Sequence, residues 1–234
     1  AGLDSTVIGG RFLLGGQGGK TNFIAGKSKY LVVEACEYRR SFLNLSPQIL
    51  VILNIDADHL DYYKDLADIK SVFAELAAKV PKSGVVITEK EYGAVTLPAD
   101  FKLQIPGKHN LQNARAALTV ALSLGIPDEV ALRSLADFRG TSRRFEYRGK
   151  AKNGAFIYDD YGHHPTEIEA TLQGAREAFP TQKIIVVFQP HLYSRTKDHL
   201  AAFGQCFACA DAVVLLPIYP AREQDPGGIS SQMV

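Results

Sequence analysis

A loop rich in carboxylates follows one apolar run of the sequence. The string "NIDADHLDYY" places Asp56, Asp58, His59 and Asp61 directly after "QILVIL". Carboxylates with one imidazole suit a divalent cation such as magnesium or manganese. The alternative is a solvated acidic loop that caps the next helix. We predict that this loop contributes to a metal site.

Two glutamates end the preceding apolar run and could supply a carboxylate to the same ion. Glu34 closes the run "KYLVVE", and Glu37 lies three residues further along the chain. Glu34 is the better placed of the two, because it stands at the end of the predicted strand. A surface role explains Glu37 equally well.

The string "GKHNLQNA" places His109, Asn110 and Asn113 at the start of a predicted helix. Asn110 and Asn113 are three residues apart and therefore share a helix face. An amide side chain offers a donor and an acceptor together, which suits the edge of a purine. Taken alone, Asn110 is better explained as the cap of the helix.

Two adjacent arginines lie near residue 140, where we predict a domain boundary. The string "RRFEY" contains Arg143 and Arg144. Arginine is the usual clamp on a phosphoryl group during its transfer. The alternative is a surface ion pair with Glu146.

Two further polar strings each follow a predicted strand. "YDDYGHHPTE" contains Asp160, Tyr161, His163 and His164, and successive histidines point in different directions, which argues against a shared metal. "QPHLYSRTKD" contains His191, Tyr193, Arg195 and Lys197. Arg195 could hold a carboxylate or a phosphate, or it could belong to a solvated helix start.

The glycine-rich string "GGQGGKTNFIAGKS", residues 15–28, looks like a phosphate-binding loop. Such a loop follows a buried strand and opens a helix, whose amides hold the phosphates. Here the preceding strand is weak, and the residues after Thr21 run into the next strand without room for a helix. We interpret the string as a glycine-rich connection before a central strand.

Composition and cysteine usage exclude several classes of protein. A net charge of +1 provides no general attraction to nucleic acid or to a membrane surface. No apolar run approaches the length of a spanning helix, and three cysteines form no disulfide framework. Cys206 and Cys209 form a lone Cys-x-x-Cys that we interpret as part of a packed helix face. We expect a cytoplasmic protein.

The elements that carry these groups alternate between strands and helices. Near-continuous apolar runs at residues 29–35 and 48–55 are typical of parallel strands buried on both faces, and residues 183–188 are predicted as a further strand. Helical spacing is found at residues 65–80, 110–126, 127–138, 164–179 and 195–210. The polar strings follow the strands, where sites in such sheets lie. We predict an α/β protein with a domain boundary near Gly140.

Six strings taken together, in this order, resemble the Mur ligases, the ATP-dependent enzymes that form amide bonds in peptidoglycan synthesis. They are "VVEACEYRRSFLNLSP", "LNIDADHLDYY", "GKHNLQNARAAL", "RRFEYRG", "YDDYGHHPTEIEATLQGARE" and "FQPHLYSRTKDHLAAF", which lie within residues 30–207. The resemblance implies an incomplete central ATPase domain with a mostly parallel sheet at residues 1–140. A Rossmann-like α/β domain, truncated at its C-terminus, would follow at residues 141–234.

The resemblance also implies a reaction and a set of roles. ATP would phosphorylate the carboxylate of a UDP-linked sugar, and an incoming amine would then displace the phosphate. The string similarity is highest to family members that join L-alanine to UDP-N-acetylmuramate. The implied roles are Mg²⁺ ligands (Glu34, His59), adenine and ribose contacts (His109, Asn110, Asn113), a γ-phosphate clamp (Arg144), a loop lining the nucleotide and amino-acid site (Asp160, Tyr161, His163), and substrate contacts (Arg195, His163, Tyr193). Arg144, His59, Asp160 and His163 are the expected catalytic residues.

The chain also departs from the family pattern. The phosphate loop and the sugar-binding domain of the family would lie before Ala1, so we expect little or no ligase activity from this chain alone. The segment at residues 90–107 is short, and Leu192 stands where many relatives have arginine. Alternatives are a murein tripeptide-recycling ligase of the same family, a metal-dependent hydrolase centred on residues 56–61, and a non-catalytic nucleotide-binding module.

Overall fold

Short strands and longer helices alternate in the computed structural model, which describes residues 2–10, 12 and 21–234. The strands are β1 (Thr6–Ile8), β2 (Phe23–Ile24), β3 (Leu31–Val33), β4 (Ile49–Val51), β5 (Val85–Ile87), β6 (Glu146–Lys150), β7 (Phe156–Asp159), β8 (Ile185–Phe188) and β9 (Ala212–Leu215). The helices are α1 (Leu66–Ala78), α2 (Glu89–Gly93), α3 (Lys108–Ser123), α4 (Asp128–Ala136), α5 (Pro165–Ala178), α6 (Tyr193–Asp198) and α7 (Leu200–Cys206). The α/β class predicted from the sequence is confirmed.

The helices agree with the apolar spacing better than the strands do. Gly125 follows α3 with a φ of +73°, as its position predicted, and Pro127 lies at the N-cap position of α4. The helix predicted at residues 195–210 is wrong in one respect, because the structure divides it into α6 and α7 at His199. The His199 ring packs edge-on against the His164 ring, with centroids 4.6 Å apart.

The first strands form a small sheet in the order β2-β1-β3, in which β1 and β3 are parallel and β1 and β2 antiparallel. The first six residues of the phosphate-loop-like string, 15–20, lie outside the described residues. After Thr21 the chain forms β2 and then a turn leading to β3, with no helix over residues 22–30. The described part of the string therefore agrees with a connection before a strand.

Gly26 is required by a close approach of the backbone. A Cβ atom at this position would lie 2.1 Å from the Asp4 carbonyl oxygen, so the chain would have to move. We expect Gly26→Ala to lower the free energy of unfolding by about 1–3 kcal/mol in urea denaturation. Gly93→Ala is the control, because a Cβ there meets no atom within 4 Å. Equal stability of the two variants would contradict the prediction.

The remaining strands pair two by two. The β4–β5 and β8–β9 pairs are parallel, and β6–β7 is an antiparallel hairpin. The sheets are therefore mostly parallel, as predicted, but each is small. The hairpin strand β6 was not predicted, because "EYRGK" carries alternating charges instead of an apolar run.

Helices cover one face of β8. Phe188 packs with Ile168 and Leu172 of α5 and with Phe203 and Cys206 of α7, so the cysteine lies on a packed helix face as predicted. On the other face Ile185 and Val187 are 59% and 66% exposed. The prediction of burial on both faces, made for residues 29–35, is wrong for β3, where Leu31 and Val32 are 59% and 55% exposed.

The chain divides into two compact units. The first comprises Ala1–Asp56, Leu66–Ile105 and His109–Asp160, and the second comprises Ala57–Asp65, Pro106–Lys108 and Tyr161–Val234. The domain boundary near Gly140 stays a prediction, since it concerns sequence domains and not these contact-defined units. Within residues 2–10, 12 and 21–234, no helix combines the length and the apolar character needed to cross a bilayer.

Candidate active site

A forked ion pair joins Asp58 and Arg195 within the second unit. Arg195 donates from Nε and Nη2 to Asp58 Oδ1 at 3.2 and 3.0 Å, and its side chain is 8% exposed. Burial alone would raise the pKa of Asp58, but the charges of Arg195 and His59 and the hydrogen bonds lower it to about 2. Asp58 is therefore ionised throughout the physiological pH range.

Asp58 also fixes the backbone of His59. The His59 amide donates to Asp58 Oδ1 at 2.7 Å, and His59 adopts a φ of +57°, which is uncommon for a residue with a side chain. His59, Asp58 and Arg195 border a shallow concavity together with Leu192 and His199. The Asp58 carboxylate, which was predicted as part of an acidic metal-binding loop, thus forms an ion pair with the buried guanidinium of Arg195.

Arg195 reaches this position from α6. Its Nη1 lies 3.4 Å from His191 Nδ1, which must act as the acceptor because a guanidinium has only donors. Burial and the neighbouring charge of Arg195 lower the pKa of His191. The Nε–Nη2 edge of the guanidinium is taken by Asp58, so Nη1 is the nitrogen that faces only a neutral partner.

His163 stands at the N-terminal side of α5, with its ring centroid 6.3 Å from that of His191. Its Nδ1 lies 3.0 Å from the Tyr161 carbonyl oxygen, which can only accept. We therefore assign the Nδ1–H tautomer to the neutral ring, which leaves Nε2 as an acceptor. Burial lowers the pKa of His163, Arg195 acts in the same direction, and Glu167 opposes both.

We expect His163 to titrate below its ordinary value of 6.5 when followed by NMR. Because its folded pKa is lowered, His163 contributes stability above pH 6.5 that is lost as the pH falls through the folded pKa. Glu167→Gln removes the opposing carboxylate and is expected to lower the pKa further. A wild-type pKa of 6.5 or more would contradict the assignment.

His164 has a role that sequence reasoning missed. Its Nδ1 accepts from the Thr166 amide at 3.3 Å, and the His164 amide donates to Glu167 Oε2 at 3.3 Å. His164 therefore caps α5. Its Nε2 lies 3.3 Å from the Ala57 carbonyl oxygen. The two adjacent histidines point to different partners, as predicted. The glutamate three residues after His164 was the available signal.

Arg144 lies on a tightly constrained loop of the first unit. Its neighbours Arg143 and Phe145 have φ values of +55° and +49°. Phe145 stacks on Tyr158 with centroids 4.4 Å apart, and its amide donates to Asp160 Oδ2 at 2.9 Å. These contacts hold the strained backbone on the C-terminal side of Arg144.

The charged residues around Arg144 form ion pairs and hydrogen bonds with one another. Arg143 Nε lies 3.3 Å from Asp159, and its amide donates to Glu146 at 2.9 Å. Glu146 also forms an ion pair with Arg148 at 2.7 Å. Glu146 thus has Arg148 as an ion-pair partner, which sequence reasoning did not name.

The predicted nucleotide contacts lie on the first turns of α3. The helix begins at Lys108, so Asn110 is inside the first turn and its expected capping role is wrong. His109 and Asn110 are partly exposed, and Asn113 is exposed one turn along the same helix. The amides of Asn110 and Asn113 share a face on which a purine edge could be bound.

Glu34 follows the end of β3 as predicted. Its Oε2 accepts from the Gly10 amide at 2.7 Å, which leaves Oε1 for a further partner. Over the described stretches, no group of three His, Cys, Asp or Glu side chains is arranged to hold a metal ion. The roles of Glu34 and His59 as metal ligands stay predictions.

Two family models match the chain. The "Mur ligase middle domain" matches residues 20–97, and the "Mur ligase, glutamate ligase domain" matches residues 143–234. The matches follow each other in the order expected from the six strings.

Curated relatives match nearly the whole chain. A UDP-N-acetylmuramate–L-alanine ligase from Caldanaerobacter subterraneus is 41% identical, with 99% of this chain and 59% of that protein covered. The ligase of the same name from Clostridium acetobutylicum is 41% identical, with 90% and 55% covered. The chain thus spans a little over half the length of these relatives. The first alignment extends over 277 positions, so that relative carries segments within the matched region that this chain of 234 residues lacks.

Solved structures agree with the sequence matches. The crystal structure of UDP-N-acetylmuramate-alanine ligase MurC from Thermotoga maritima superposes with a TM-score of 0.74 at 27% identity, over 93% of this chain and 56% of that one. MurF ligase from the same organism, solved in complex with ADP, has a TM-score of 0.64 at 18% identity and supports the fold alone. The two domain matches, the curated relatives and the MurC structure place this chain in the Mur ligase family.

Proposed function

We propose that the chain provides the middle and C-terminal parts of a cytoplasmic, ATP-dependent ligase that joins L-alanine to UDP-N-acetylmuramate through an acyl phosphate. The match to ligases of that name over 99% of the chain carries this proposal. The Asp58–Arg195 pair, His163 and the Arg144 loop support it, because each presents a group that the reaction needs.

The donor set fits Mg²⁺ and ATP in its chemistry. Glu34 keeps one carboxylate oxygen beyond its bond to Gly10, and oxygen is the ligand that Mg²⁺ prefers. His59 would be the second ligand, and the amides of Asn110 and Asn113 would bind adenine. Bound Mg²⁺–ATP supplies the phosphoryl group that activates the sugar carboxylate. Arg144 would neutralise charge on that group during its transfer.

Arg195 and His163 would act on the amino acid. Arg195 Nη1 is the guanidinium nitrogen left for the alanine carboxylate, since the Nε–Nη2 edge binds Asp58. Alanine reaches the enzyme mostly as an ammonium ion, which must lose a proton before it attacks. His163 Nε2 would accept that proton, because the ring is neutral near pH 7 and its other nitrogen carries the hydrogen. Asp160 supports the Arg144 loop, while its contact with nucleotide stays a prediction along with those of Tyr161 and Tyr193.

A hybrid ligase tests the proposal. Residues 1–234 of this chain replace the matching segment of the Caldanaerobacter subterraneus ligase, and phosphate release is measured with ATP, Mg²⁺ and UDP-N-acetylmuramate. We expect turnover with L-alanine and at least tenfold less with the murein tripeptide. The reverse preference would assign the chain to the recycling reaction. Phosphate release that ignores both amines would overturn the ligase proposal.

A further inference from the structure

Helix α6, which presents Arg195, lacks a capping side chain of its own. Its N-cap is Leu192, an apolar residue with a φ of 74° and a ψ of 137°. The first backbone amides of a helix have no partner within the helix and need one from elsewhere. The partner must therefore come from another part of the chain.

Glu223, in the loop after β9, supplies that partner. Its Oε2 accepts from the Ser194 amide at 3.1 Å, and its Oε1 accepts from the Ser194 hydroxyl. Burial opposes the charge of Glu223, but these bonds and one from the Tyr193 backbone lower its pKa. The Glu223 carboxylate thus binds the first turn of α6, and we interpret this bond as a structural contact.

The loop that carries Glu223 is fastened to the chain around α6 at several points. We call residues 217–225 the clasp. The Leu192 amide donates to the Tyr219 carbonyl at 2.9 Å, and the Tyr219 amide donates to the Pro190 carbonyl at 2.8 Å. Arg222 lies 3.4 Å from Asp61, on the loop that also carries Asp58. The clasp therefore connects the turn before α6 with the acidic loop.

Arg195 is the third residue of α6, directly after Ser194. Its guanidinium can form the fork with Asp58 only if the first turn holds its direction, because both Nε and Nη2 must meet one carboxylate. We propose that Glu223 is a positioning residue, which fixes the first turn of α6 and thereby holds the Arg195 guanidinium against Asp58. The functional meaning of this inference rests on the proposed role of Arg195.

The test measures the position of Arg195 without any substrate. Hydrogen exchange of Arg195 Nε–H is followed by NMR in the 234-residue chain. We expect Glu223→Ala to accelerate this exchange roughly tenfold, from the loss of a charge-assisted cap. Glu223→Gln keeps the size and one acceptor oxygen, so we expect a smaller acceleration. If Glu223→Ala does not fold, Glu223→Gln is the variant that tests the proposal.

Asp211→Ala is the matched control. Asp211 is another carboxylate of the same unit that accepts a backbone amide, from Ile184 at 2.7 Å, and an arginine, Arg176 at 2.7 Å. We expect Asp211→Ala to lower the stability of the chain. Hydrogen exchange of Arg195 Nε–H, measured well below the unfolding temperature, should stay unchanged. Equal acceleration in Asp211→Ala and Glu223→Ala, or none in either Glu223 variant, would overturn the inference.

The hybrid ligase adds a functional measurement that separates the two proposals. We expect Glu223→Gln to raise KM for L-alanine severalfold while kcat changes less than twofold, since the residue acts on binding through Arg195. A hybrid inactive with alanine, combined with accelerated Arg195 exchange, would reject the proposed substrate and retain the positioning role. An unchanged KM in a variant with accelerated exchange would reject the link between Arg195 and alanine.

Discussion

Asp58→Ala is expected to lower the free energy of unfolding of the second unit by about 3–5 kcal/mol, because it leaves a buried guanidinium without its counter-charge. Arg195 is 8% exposed, so water cannot replace the lost carboxylate. The same change removes the acceptor that holds the His59 amide in its left-handed conformation. Urea denaturation followed by circular dichroism measures the loss.

Asp61→Asn is the control for this prediction. Asp61 lies on the same loop and pairs with Arg222 at 3.4 Å, but those side chains are 34% and 57% exposed. Exposed pairs contribute roughly 0–1 kcal/mol, so the control should remain close to the wild type. A loss in Asp58→Ala as small as that expected for Asp61→Asn would contradict the prediction and show that Arg195 tolerates an unpaired charge.

The pH dependence of stability provides a second measurement of the same pair. The pKa of Asp58 falls from an unfolded value of 3.8 to about 2 in the folded chain. Its contribution is therefore fully present above pH 4, and it is lost as the pH falls toward 2, because the unfolded state binds the proton more readily. The difference corresponds to about 2 kcal/mol. Asp58→Asn should abolish this part of the acid dependence.

Local signals predicted the helices well because their burial follows the sequence period. In α5, for example, Ile168, Leu172 and Ala175 recur at helical spacing and are all buried. The run at residues 29–35 was predicted to be buried on both faces, yet Leu31 and Val32 of β3 are exposed. An apolar run gives the strand but does not say which of its faces will be covered.

The sequence named candidate site residues but did not predict the contacts that they make. Arg195 and His163 were named because each follows a predicted strand, and in the structure they follow β8 and β7. The partner of Arg195 is Asp58, 137 positions earlier, and no local pattern connects two such residues. Glu223 was missed for the same reason, since it stands in a loop and acts on α6, 29 residues before it.

Backbone conformation was the other feature that the sequence concealed. Arg143, Phe145, His59 and Leu192 all have positive φ values, although none is a glycine. Such conformations cost about 1–3 kcal/mol each and persist only where the surroundings hold them. The stack of Phe145 on Tyr158 and its bond to Asp160 do this for the Arg144 loop, and both depend on tertiary contacts.

Arg144→Ala in the hybrid ligase is expected to reduce kcat for phosphate release by about 10²–10³-fold, the loss typical of removing one group that stabilises transition-state charge. The loop that carries Arg144 is held by contacts of its neighbours Arg143 and Phe145, so the fold should survive the truncation. We therefore expect a melting temperature within a few degrees of that of the parent hybrid. The prediction depends on the ligase proposal and on the role of Arg144 as a clamp.

Arg148→Ala separates this role from a general effect of positive charge. Arg148 lies four residues away, and its side chain, which forms an ion pair with Glu146, is 46% exposed. Its removal takes away the same formal charge from the same unit, so a rate loss caused by long-range attraction of ATP would appear in both variants. A clamp acts only at contact distance, so Arg148→Ala should keep at least a third of the parent rate. If the two variants lose activity equally, or if Arg144→Ala raises KM for ATP without lowering kcat, Arg144 contributes to binding and not to the stabilisation of phosphoryl transfer.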